Sequence, residues 1–163
     1  MTTRAANIEI LAWEETPLGL LCLRRRALLG RPGTTVTEIT LEHELLMSSY
    51  VTTSESALAE KALAVHGGDS LRILVGGLGL GYTAQRVLQQ GGDRVVRLEV
   101  VEYLPQVIDW LERGMLPTSA DLTADARVAV VEGDVYARLA EAPAAEGEHD
   151  VVLTFRSVVQ QWG

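Results

Sequence analysis

The sequence predicts an α/β protein, with a small β-rich unit followed by a parallel sheet layered between helices. Two patterns predict it. From Leu71 onward, short apolar runs alternate with amphipathic stretches, the rhythm of strand–helix–strand crossovers. Before that, Thr-, Val- and Ile-rich runs are broken by Pro and Gly turns. The reading divides the chain into residues 1–52, β-rich, and residues 53–163, with parallel strands.

Ile8 to Trp13 and Leu18 to Leu23 flank a Thr16-Pro17 turn and read as a hairpin. Gly30-Arg31-Pro32-Gly33 is a turn signal, and Thr35 to Leu41 follows as a strand. Ser54 is placed to cap a helix through Ala57, Leu58, Ala59, Ala62 and Leu63, which Gly67-Gly68 ends. Leu71 to Val75 reads as a strand buried on both faces. A glycine loop and a helix with Ala84, Val87 and Leu88 inward come next, stopped by Gly91-Gly92.

Val95 to Val101 is the second such strand. Pro105 suits a first helical turn, and Leu104, Val107, Ile108 and Leu111 share one helical face. Arg127 to Val131 is the third strand, Asp134 can cap a short helix containing Leu139, and Asp150 to Phe155 is the fourth. The result is a Rossmann-like three-layer sheet, incomplete at about four strands.

Composition narrows the function classes. The chain has 163 residues, 47 % apolar and 22 % charged, a globular mix. A net charge of -8 disfavours nucleic acid and anionic membranes as partners. No apolar run has signal-peptide or membrane-span length. The single cysteine, Cys22, forms no internal disulfide and reads as a packed strand thiol, which fits a cytoplasmic location. His43, His66 and His149 lack metal spacing, so no metal is expected. Arg24-Arg25-Arg26 could contact an acidic group and otherwise reads as a solvated run alternating faces on a strand, and Trp13, Trp110 and Trp162 read as core or interface packing residues.

The candidate chemistry lies in Val75-Gly76-Gly77-Leu78-Gly79-Leu80-Gly81-Tyr82, between a strand and a helix. Glycines permit positive φ and close ligand approach, and a helix start offers N–H groups to an anion. The same loop also fits a turn needed only for tight packing. Glu102, ending the next strand, can accept two ribose hydroxyls or be a solvated strand end. Asp134, after the third strand, can take an adenine amino group, cap a helix, or do both. All three would lie at the carboxyl ends of parallel strands, where such sheets bind ligands. The spacing G-x-G-x-G, with Tyr82 where a dinucleotide fingerprint has its third glycine, disfavours a nicotinamide enzyme.

At these positions the sequence resembles the spermidine synthase-like branch of the class I S-adenosylmethionine-dependent methyltransferase superfamily. The resemblance is carried by Leu18 to Arg26, Glu44 to Ser49, Val75 to Thr83, Val100 to Glu102 and Val131 to Asp134. It implies an N-terminal β unit on a Rossmann-like domain, often a homodimer, binding S-adenosylmethionine or its decarboxylated form. By position, Gly77, Leu78, Gly79 and Gly81 would line the methionine-derived part. Glu102 would hold the ribose and Tyr103 would lie beside adenine. Gly133, Asp134 and Val135 would meet its edge.

Departures set the limits of the resemblance. The family has an acid in the glycine loop where this chain has Leu80, and a glutamine near Met47. It has a Tyr-His-Glu step in the region of Ser54 to Leu58, and a catalytic aspartate at the place of Phe155. Carboxylates hold a diamine and help to deprotonate it; leucine and phenylalanine do neither. The sequence therefore implies a transferase of open acceptor, or a binding or assembly module that kept the fold without catalysis. No catalytic residue stands out. A sheet halted at four strands exposes an edge and an apolar face, which implies a longer protein or a covering partner.

Overall fold

A computed structural model describes residues 7–141 and 148–154. The chain divides into two compact units at Val51/Thr52.

The first unit is an antiparallel meander of β1 (Ile8–Thr16), β2 (Gly19–Ala27), β3 (Thr35–Leu41) and β4 (Glu44–Ser48), paired in chain order. The expected hairpin forms, with Thr16 opposite Gly19. The Thr16 hydroxyl accepts from the Leu18 N–H and donates to the Gly19 carbonyl, closing the turn. β4 has no sequence signal. Its turn is made by Glu42 and His43, with φ of 48° and 70°. Turns of this kind normally use Asn or Gly. Part of the compensation is visible: the Glu42 carboxylate accepts from the Leu20 N–H and lies where a Cβ at residue 19 would be.

The arginine run alternates faces, and two of its members contact an acid. Glu38, 1 % exposed, takes Arg24 at 2.9 Å and Arg26 at 2.8 Å, with further Nε hydrogen bonds. Only Arg25, between them, is exposed. Burial pushes the Glu38 carboxyl up, but hydrogen bonds and charge from Arg26 and Arg24 outweigh this and hold it below its ordinary value. Trp110 is fully buried, Trp13 is exposed, and Trp162 lies outside the described residues.

The second unit begins with α1 (Thr53–Val65). Ser54 does not cap it. Thr52 precedes the helix without a side-chain cap, and the Ser54 hydroxyl donates to Glu55. The helix stops at His66, before the glycines, and Arg94 donates to the carbonyls of Leu63, His66 and Gly68. Then come β5 (Leu71–Gly76), α2 (Tyr82–Gly91), β6 (Val95–Glu102) and α3 (Pro105–Glu112). They are followed by α4 (Ser119–Ala124), β7 (Val128–Glu132), α5 (Val135–Glu141) and β8 (Val151–Thr154). Pro105 opens α3 and Gly92 ends α2, as their chemistry requires.

The four strands are parallel in the order β7-β6-β5-β8. Ile73, Val75, Leu98, Val100, Val151 and Leu153 are buried, as expected of strands covered by helices. Leu63 of α1 and Gly91 of α2 meet Val95 on this side. Val135 of α5 packs with Leu74 and Val101 on the other. The three layers are therefore α1 and α2, the sheet, and α5. On the α5 side Val131 and Val152 remain exposed.

The Glu38 cluster yields a test. Because folding lowers this carboxyl below its ordinary 4.5, its stabilisation is present above that pH and lost as pH falls through the folded value. Glu38→Gln should cost about 2 kcal/mol at pH 7 in urea unfolding. The gap between the two proteins should close as the solution is acidified below the ordinary value.

Candidate nucleoside site

The carboxyl ends of β5, β6 and β7 meet at Glu102. Its side chain, 7 % exposed, sits under the glycine loop. One carboxylate oxygen, Oε2, accepts from the Leu78 N–H at 2.7 Å and the Gly79 N–H at 3.5 Å. The other, Oε1, accepts from the Leu104 N–H at 2.9 Å. The Glu102 carbonyl accepts from the Gly133 N–H at 2.9 Å, and the Val101 carbonyl from the Gly77 N–H at 2.7 Å. Three turns distant along the chain are thus tied to the end of one strand. Glu102 is no solvated strand end.

The loop glycines divide by purpose. Gly77 (φ 94°) is exposed, and a Cβ there would meet nothing within 4 Å. Gly79 (φ 54°) is half-buried. Gly77 forms the open lip of the loop. Gly81 (φ 85°) is buried, and a Cβ there would lie 2.1 Å from the Thr118 hydroxyl and 2.8 Å from Leu122. Gly76 is enclosed too, with Val135 at 2.8 Å and Thr154 at 2.9 Å from such a Cβ. Gly81 and Gly76 are required for space, whereas Gly77 faces an open surface.

Other expected site residues spread over this rim. Leu78 and Val135 are buried, and the Leu78 N–H is already given to Glu102. Tyr103 is 54 % exposed beside Glu102. Asp134 is exposed, and its Oδ1 accepts from the N–H groups of Tyr136 at 2.9 Å and Ala137 at 3.2 Å. That is a helix cap, so the capping role holds, with Oδ2 not engaged in those two bonds. The structure brings the glycine loop, Glu102, Gly133 and Asp134 to one edge of the sheet.

Two positions bear on the departures. The Leu80 side chain is fully buried, so position 80 faces the core and not the rim. Phe155 lies outside the described residues. Sequence reasoning missed Thr118. Its buried hydroxyl donates to the Leu80 carbonyl at 2.7 Å and fixes the far side of the loop. Pro117-Thr118-Ser119 gives only a helix-start signal, with nothing to link it to a loop 38 residues away.

Behind the rim, α5 is held to the sheet by charge. Glu99, 5 % exposed, pairs with Arg138 of α5 and lies 3.4 Å from the His149 imidazole. Burial raises the Glu99 carboxyl, yet the hydrogen bond and charge of Arg138, aided by His149, bring it below its ordinary value. Glu99, Glu148 and His149 bring ligand-type atoms within 4.8 Å of one another, a grouping their separation along the chain hid. Arg138 pairs with both carboxylates, so a cation would have to displace a guanidinium.

Two substitutions separate space from conformation. Gly77→Ala should cost about 1–2 kcal/mol, from positive φ alone. Gly81→Ala adds overpacking against Thr118 and should cost roughly 2–5 kcal/mol. Denaturant unfolding of the two variants checks the order. In the same assay Asp134→Ala should lose about 1 kcal/mol through the α5 cap.

No family model and no curated protein matches the sequence. Solved structures do match. A spermidine synthase from Thermotoga maritima superposes with a TM-score of 0.72 at 17 % identity, over 91 % of this chain and 47 % of that one. A spermidine synthase in complex with the transition-state analogue AdoDATO gives 0.71 at 18 % identity, over 90 % and 47 %. The chain spans about half the length of these structures. Over that part it has the fold of the spermidine synthases, a Rossmann-like α/β fold.

Proposed function

We propose that the rim binds an adenosine-containing sulfonium, S-adenosylmethionine or its decarboxylated form, and serves a spermidine synthase-like transferase with a small-molecule acceptor. The observation that carries this reading is the convergence on Glu102: its carboxylate and carbonyl gather the glycine loop and the Gly133 turn at one edge. A single nucleoside is the size of ligand that three such turns can span.

The residues present fit the group. The open lip at Gly77 lets a ligand approach the backbone, and the loop leads into the start of α2, whose dipole favours a carboxylate. The decarboxylated form lacks that carboxylate and would rely on other contacts. Glu102 is the acceptor for ribose hydroxyls. Tyr103 offers an exposed ring beside adenine, and Gly133, Asp134 and Val135 offer backbone and carboxylate groups to its edge. When bound, the sulfonium supplies an activated carbon for transfer to a nucleophile. The fold likeness supports an aminopropyltransferase-like reading, strengthened by the bound analogue in one neighbour. The buried side chain of Leu80 supplies no carboxylate to an amine, so the acceptor stays open.

Calorimetry with S-adenosylmethionine, its decarboxylated form and methylthioadenosine tests the proposal. Saturable heat with at least one, weakened about tenfold or more by Glu102→Ala, is the expected result. Absence of heat with all three, on folded protein, would end it. Binding without group transfer across amine acceptors would assign the fold to a binding module.

A further inference from the structure

We infer that the Glu102 carboxylate is a contested acceptor: a ligand's ribose diol displaces the Gly79 N–H from it, so that nucleoside binding resets the glycine loop. The inference rests on the nucleoside reading above and adds what the loop must do for that reading to work.

The count of acceptor positions drives it. A carboxylate offers about four lone-pair positions. Three are already directed at protein donors: Leu78 and Gly79 on Oε2, Leu104 on Oε1. About one is left, and a vicinal diol brings two O–H donors. One backbone donor must therefore leave for both hydroxyls to be accepted.

Geometry selects the donor. The Leu78 and Leu104 bonds are 2.7 and 2.9 Å, and both residues have buried side chains that anchor them. The Gly79 bond is 3.5 Å, at the outer limit of a hydrogen bond. Gly79 has no side chain to anchor it, and as glycine it can change φ and ψ at little steric cost. The loop is fixed on either side of it. The Gly77 N–H is tied to the Val101 carbonyl, and the Gly81 N–H to the Leu78 carbonyl at 2.8 Å. Thr118 holds the Leu80 carbonyl. Gly79 is therefore the pivot between two clamped ends. Once released, its N–H can serve an acceptor on the ligand, so the exchange need not leave a donor unpaired.

The device makes the intact diol a requirement. A nucleoside without ribose hydroxyls has nothing to offer Glu102 and leaves the Gly79 bond in place. The test is amide-resolved NMR of the chain titrated with adenosine and with 2′,3′-dideoxyadenosine. Adenosine should move the Gly79 amide resonance more than those of Leu78 and Leu104, in the direction of a lost carboxylate hydrogen bond. Dideoxyadenosine should bind about tenfold or more weakly and leave Gly79 unmoved. In Glu102→Gln the amide nitrogen becomes a donor facing backbone donors. The preference for adenosine should then fall toward unity, and the Leu78, Gly79 and Leu104 amides should exchange faster. Binding of adenosine with Gly79 still, or equal movement by both nucleosides, overturns the inference and leaves the nucleoside reading standing. Failure of adenosine and of the sulfonium ligands above to bind overturns both.

Discussion

One carboxylate organises the carboxyl-end edge of the parallel sheet. Parallel strands deliver their turns to a common edge, but nothing in a parallel sheet fixes those turns to each other. Glu102 does so with backbone bonds to the turns after β5 and β6 through its side chain, and to the turn after β7 through its carbonyl. A buried carboxylate is costly unless its lone pairs are satisfied. Here the donors that satisfy it belong to the segments that form the edge. The energetic requirement of the acid and the geometry of the loops therefore have one solution.

The glycines show a second constraint. Four of them, Gly76, Gly77, Gly79 and Gly81, lie within six residues, yet two answer to neighbours and two to backbone freedom. Thr118 and Leu122 close the space at Gly81, and Val135 and Thr154 close it at Gly76. The turn can be tight because α4 and α5 crowd it from outside. A glycine-rich motif is thus a composite of packing and site requirements, and only coordinates separate them.

Much of this was readable from the residues. Val95 to Val101, Pro105 with its apolar face, and the Gly91-Gly92 stop all act locally, and each appears within a residue or two of its expected place. What escaped was non-local. β4 was missed because Glu42 and His43 form its turn without a turn residue, supported by Glu42 reaching the neighbouring hairpin. Ser54 looked like a cap because its type suits one, but its hydroxyl found Glu55. The acid that meets the arginine run escaped because Glu38 sits on another strand. At the site, residue types and order are visible, whereas the burial of Leu80 and the hold of Thr118 join segments far apart along the chain, which no local pattern links.

The two faces of the parallel sheet are held by different forces. One is sealed by apolar side chains of the strands and of α1 and α2. The other carries α5 on a small apolar contact at Val135 and on the bonds from Arg138 to Glu99 and Glu148, with Val131 and Val152 open beside it. Apolar burial strengthens on modest warming, whereas the more exposed pair, Arg138 with Glu148, weakens with added salt. The two sides therefore respond to different variables, and brine loosens the α5 side before the other. Since Asp134 caps α5, ionic strength reaches this end of the sheet edge through the helix as well as through the carboxylate itself.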